Sequence, residues 1–209
     1  MKVLETERLI LRWLTADDAP FILELLNDPA WLRFIGDRGV RTINGARTYI
    51  LNGPVSMYTK LGFGLYVTER KADGVPMGMC GLIKRDGLDD VDIGFAFLPE
   101  FYGQGYAEEA ATAVMEYGKS TFGLKRIVGI TIRDNASSIK LLEKIGLEFE
   151  RVMQMPGDDE EIMLFAWNAP AIALFYLEPA SARIFRHFRP ERRASAGVSS
   201  IRKKAQPHD

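Results

Sequence analysis

Cysteine and histidine are nearly missing from this chain. Its 209 residues hold one cysteine, Cys80, and two histidines, His187 and His208, both close to the end. A single cysteine excludes an intrachain disulfide and a cysteine-built metal centre. With no histidine before residue 187, the body of the chain has no histidine to act as a base. No ligand cluster is apparent either, so no metal is expected. Long apolar runs are also absent. No window approaches the roughly 18 consecutive apolar residues of a membrane span, and Glu5 and Glu7 fall where a signal peptide needs an apolar stretch. The expectation is a soluble, cytoplasmic protein with no membrane partner.

What is present suits a globular body. Apolar residues make up 47% of the chain and charged ones 26%, enough for one domain with a sizeable core, alone or with an appendage. The net charge of −1 makes no case for a nucleic-acid partner, but it hides an asymmetry. Beyond Asn168, eight Lys and Arg stand against three acids, a local +5 that leaves the remainder at −6. The division expected is therefore a body over 1–167 and a basic extension over 168–209. That extension reads as a short docking helix followed by a disordered, solvated tail.

Along the body, 4–14 reads as a first strand, and Thr15 with Asp17 and Asp18 opens a helix that runs to Asn27 and stops at Pro29. Residues 30–40, with Trp31 and Phe34, fit neither period. A second helix spans 42–57. Strands follow at 64–69 and 77–84, joined by a turn at Asp73 and Gly74. Cys80 lies in the second of them as a small buried hydrophobe. Residues 126–132 form a continuous β-branched run, the pattern of a strand covered on both faces. Asn135 caps a short helix with Ile139, Leu142 and Ile145 on its inner face. Two closing strands, 147–155 and 161–167, form a hairpin around Gly157. This order predicts an α/β fold with mixed strand directions.

The most informative stretch is DIGFAFLPEFYGQGYAEEAATA, residues 92–113. Ile93, Phe95 and Phe97 alternate as in a strand until Pro99. Ala107, Ala110, Ala111, Val114 and Tyr117 then recur at helical spacing. The helix therefore begins at the loop holding Gly103 and Gly105, where unpaired N–H groups and the macrodipole suit an anion. The glycines carry no side chain to hold a diphosphate away. The dinucleotide fingerprint fails, because Glu108 stands where its third glycine belongs.

Three separated motifs change the weight of that loop: ETERLILRWL at 5–14, PEFYGQGYAEEA at 99–110 and NASSIKLLEKIGL at 135–147, with the strand LKRIVGITI between the last two. In this order they resemble the GNAT family of acyl-CoA-dependent N-acyltransferases, in particular its RimJ/RimL-like branch, over residues 4–167. The resemblance implies a mixed, mostly antiparallel central sheet with helices on both faces, and acetyl-CoA as acyl donor without a metal. It implies that Phe101, Tyr102, Gly103, Gln104, Gly105 and Tyr106 hold the coenzyme's diphosphate through main-chain N–H groups. Phe95, Ala96 and Phe97 would pair with the pantetheine amides as an added strand would. Trp31, Phe34 and Ile35 would wall the acceptor pocket, or else the loop aromatics pack into the core. Glu100 departs from the Arg or Gln common in the wider family, which bears only on a side-chain phosphate contact.

By the same resemblance Asn135 hydrogen-bonds the pantetheine arm, and Ser138 protonates or hydrogen-bonds the departing sulfur. Their local alternative is helix capping. Asp92 is the candidate base, directly or through an ordered water, or else a solvated strand-end acid. Only a neutral amine attacks a thioester. Deprotonation at pH 7 costs roughly 4.6 kcal/mol for a lysine-like amine but only about 1.4 for an α-amine. The implied activity is N-acetylation of a primary amine, on a protein N-terminus or a small molecule, by a monomer or homodimer. The acidic body suits a cationic acceptor. The other reading is an acyl-CoA-binding sensor of the same fold that does not turn over.

Overall fold

The turn at Thr6 divides the amino-terminal segment in two. The Thr6 hydroxyl accepts the Leu9 amide at 3.0 Å, and the Thr6 amide reaches the Leu9 carbonyl. What reads as one strand over 4–14 is therefore an antiparallel pair, β1 (Lys2–Glu5) and β2 (Leu9–Arg12). The structure, a computed structural model, describes residues 1–157 and 159–170. The expected docking helix and basic tail lie outside the described residues.

A short 3-10 turn, Ala16–Asp18, leads into α1 (Ala19–Leu26). Asp18 ties that turn to the sheet, accepting two bonds from Arg12 at 2.7 and 2.8 Å. Pro29 does not simply stop a helix. It is the first residue of α2 (Pro29–Phe34), so part of the stretch 30–40 is helical after all. Asp28 caps the Ala30 amide at 2.8 Å, and a proline at the first helical position forfeits no bond. α3 (Ile43–Ile50), capped by Thr42, also differs from its expected run to residue 57. It widens into a π-helical turn over Leu51–Val55 around Pro54, which has no N–H to donate, and resumes as α4 (Ser56–Leu61).

The remaining elements are β3 (Leu65–Arg70), β4 (Pro76–Ile83), β5 (Val91–Phe97), α5 (Tyr106–Thr121), β6 (Arg126–Ile132), α6 (Ala136–Lys144), β7 (Glu148–Gln154) and β8 (Glu161–Asn168). The eight strands form one sheet in the order β1-β2-β3-β4-β5-β6-β8-β7. Every neighbouring pair is antiparallel except β5 with β6. This is the mixed, mostly antiparallel sheet the sequence predicts.

Register assigns the faces. Tyr66, Cys80 and Phe95 stand side by side, and with Leu82 and Ile93 they share one face. α5 covers that face closely: a Cβ added at Gly118 would lie 3.1 Å from both Leu82 and Ile127. α6 covers it at Gly129, where an added Cβ would meet Leu142 at 2.5 Å. The opposite face carries Val67, Met79 and Ile83, and Leu25 of α1 and Tyr49 of α3 meet Met79 and Ile83 around one cavity. β6 is buried on both sides, as its β-branched run predicts. Val128 packs with Leu88, Leu164 and Ala166, and Ile127 belongs to the main core.

Candidate functional site

β4 and β5 are in register from Gly78 opposite Phe97 to Ile83 opposite Asp92. β5 and β6 pair only at Val91 with Ile127 and Asp92 with Val128. β6 instead stays with β8 along its whole length, from Arg126 opposite Asn168 to Ile132 opposite Ile162. The two parallel strands therefore part beyond Asp92. From Ile93 onward, the edge of β5 that faces β6 has no strand partner among the described residues.

That gap opens into a cavity of about 910 Å³. Its wall includes Phe95, Ala96 and Phe97, then Phe101, Tyr102, Gly103, Gly105 and Tyr106, together with Asn135 and Ser138. Trp31, Phe34 and Ile35 line the same cavity. Two of the residues singled out from sequence are not on the wall. Gln104 turns its side chain to the Glu100 carbonyl at 2.8 Å. Asp92 is 1% exposed and lies beneath Arg85, whose Nε donates to its Oδ2 at 2.5 Å.

The glycine loop takes its shape from backbone that other residues avoid. Gly103 and Gly105 have φ of 72° and 79°, in the left-handed region where a Cβ is penalised. Gly105 is also the N-cap of α5. The acids in the first turn of that helix would repel an anion if they were free, but both are engaged. Glu108 pairs with Lys144 at 2.6 Å. Glu109 accepts the Thr6 hydroxyl at 2.6 Å, the Arg8 amide at 2.8 Å and Arg8 Nε at 2.7 Å. Burial alone would raise the Glu109 pKa, but the bonds from Thr6 and Arg8 outweigh it and hold the carboxyl below its ordinary range. Arg8 also donates to the Gln104 carbonyl at 3.0 Å and lies over the Tyr106 ring at 4.5 Å, bracing the loop from outside.

At the start of α6 the Asn135 side-chain oxygen accepts the Ser138 amide at 3.1 Å. The side-chain NH₂, a donor, is then what Asn135 has left for the cavity. Burial pushes the Asp92 carboxyl up to about 6, with the neighbouring Arg85 opposing the shift. An acid so poised can hold or release a proton near neutrality. Cys80 is fully buried, and burial pushes its thiol well up, away from reactivity.

The cavity wall also holds residues that were not anticipated, Arg38, Tyr49 and Arg85 among them. Arg85 falls in the turn-rich segment KRDGLDD and Arg38 in an irregular loop, so neither belongs to a motif. Tyr49 reads simply as one apolar position of a helix.

Chemically, the arrangement suits a ligand that is extended and amide-bearing along β5 and anionic at the glycine loop. Residues 8–148 match the family described as Acetyltransferase (GNAT) domain, and the chain belongs to that acetyltransferase family, whose reactions use acetyl-CoA. An uncharacterized N-acetyltransferase of Bacillus subtilis, YoaA, is 30% identical over 154 residues, 73% of this chain and 86% of its own. A second from the same organism, YnaD, is 29% identical over 145 residues, 69% of this chain and 82% of its own. Among solved structures, RimL, a ribosomal L7/L12 α-N-protein acetyltransferase in complex with coenzyme A, superposes with a TM-score of 0.69 at 17% identity. That match covers 81% of this chain and 98% of RimL.

Proposed function

We propose that the protein transfers an acetyl group from acetyl-CoA to a primary amine by direct attack on the thioester, in the manner of the RimJ/RimL-like branch. The observation that carries this reading is the parting of β5 from β6 after Asp92. The exposed edge of β5 can pair with the amides of the pantetheine arm. It leads to the amides at Gly103 and Gly105, which suit a diphosphate at the start of the 16-residue helix α5.

The roles follow from that placement. The cavity holds the amine between its aromatic wall and the thioester. Asp92, lying off the wall, takes the amine's proton through an ordered water. A carboxyl with a pKa of about 6 is matched to an α-amine better than to a lysine, whose deprotonation is costlier by about 3 kcal/mol. Ser138 hydrogen-bonds the sulfur as the thiolate leaves, and Asn135 donates its NH₂ to the arm. Thiol release from acetyl-CoA, measured across α-amines, amino acids and polyamines, tests the proposal. Release that depends on an added amine is expected. Tight coenzyme binding with no release by any amine would instead favour a sensor.

A further inference from the structure

This inference rests on the acetyl-transfer reading and concerns its acceptor. The acceptor end of the cavity is walled by apolar groups, Trp31, Phe34 and Met57 among them, yet two guanidiniums also line it, those of Arg38 and Arg85. Both lie near enough to the half-buried Tyr49 to oppose the rise that burial imposes on its hydroxyl. Arg38 is exposed and has no ion pair among the described residues. The adjacent acid, Asp37, is taken by Arg41 at 2.5 Å. Arg85 spends its Nε on Asp92, so the fork it has left for the cavity is its Nη pair, the geometry that takes a carboxylate bidentately.

The coenzyme's own phosphates do not account for these cations. Arg85 is tied to Asp92 at the start of β5, and the glycine loop follows Phe97 at its far end. Five residues of strand separate the two, about 17 Å. Asp28, a carboxylate on the same wall, caps the Ala30 amide, and its charge is felt at Tyr102 beside the loop. Arg85 is balanced by Asp92, so Arg38 is the cation left over beside them.

We infer that the acceptor is a primary amine that carries its own carboxylate and an apolar side chain, the class of a free hydrophobic α-amino acid. Arg85 and Arg38 hold the carboxylate, and the aromatic wall takes the side chain. The α-amine, two bonds from that carboxylate, then lies beside the Arg85–Asp92 pair. Polycations are rejected because the Arg38 guanidinium, with no ion pair among the described residues, faces them, and the Arg85–Asp92 pair offers them no free carboxylate.

The test uses the full chain with acetyl-CoA and follows thiol release with phenylalanine, methionine, their carboxamides and spermidine. The acids are expected to exceed their amides in kcat/KM by about tenfold or more, the worth of a charge-assisted contact. Arg38→Gln should raise KM for the acids and narrow the acid-to-amide ratio. Amides or spermidine matching the acids, or a ratio indifferent to Arg38→Gln, overturns the carboxylate assignment and leaves acetyl transfer standing. No release with any amine overturns both.

Discussion

Asp92 is the residue at which burial and chemistry meet. Its folded pKa of about 6 lies above the ordinary value of 3.8, so the folded chain binds that proton more tightly than the unfolded chain does. Its contribution to stability is therefore present in full below about pH 4 and is lost as pH rises through about 6, a difference of roughly 3 kcal/mol. Asp92→Asn should flatten the pH dependence of urea unfolding across that window and lower kcat with loss of the acidic limb near pH 6. An unchanged pH profile of both would show that the carboxyl does not titrate there. Ser138→Ala should lower turnover by about 10²-fold, the lower range for a positioned acid, with little change in coenzyme affinity by calorimetry. A hydroxyl serving only the helix start would leave the rate intact. Asn135 already supplies the cap through its side-chain oxygen, so the serine side chain is spare for the cavity.

At the scale of elements, the glycine loop and α5 act together. A valine at 105 would sit at a φ of 79°, strained by about 1–2 kcal/mol, with its Cβ 3.4 Å from Arg8 Nη2. Gly105→Val should abolish coenzyme binding while the circular dichroism spectrum stays as it was. Unchanged affinity would remove the phosphate role. The elements read best from sequence were those whose signal is local. The glycine loop, the Asn135 cap and the strand Arg126–Ile132 follow from nearest neighbours along the chain. The misreadings had local causes as well. Pro29 both follows one helix and begins another, and Pro54 is accommodated by a widened turn instead of ending its helix. At Thr6, a single hydroxyl turns one apparent strand into two.

At the scale of the whole molecule, the described cavity is assembled from segments far apart in sequence: α2, α3, the end of β4, β5, the glycine loop and α6. All of them precede residue 170. A chain ended after Pro170 is therefore expected to fold and to bind coenzyme A with the affinity of the full chain, as calorimetry would register. A loss of binding would assign the remaining residues a part in the site. The bracing of Glu109 by Thr6 and Arg8 spans about a hundred positions. Along the sequence Glu109 is only an acid in the first turn of α5, with nothing nearby to mark its partners.

Sequence alone carried the family, through three separated motifs in order, and it located the strand, loop and helix and Gly103, Gly105, Asn135 and Ser138, through backbone preferences and hydrogen bonds within a few residues. Only the tertiary structure decided that β5 parts from β6 after Asp92, that Asp92 lies under Arg85, and that Arg38 joins Arg85 on one cavity wall. Those facts depend on which distant segments share a strand edge or a cavity wall. Burial and charge are set there by neighbours in space, and no local pattern along the chain encodes them.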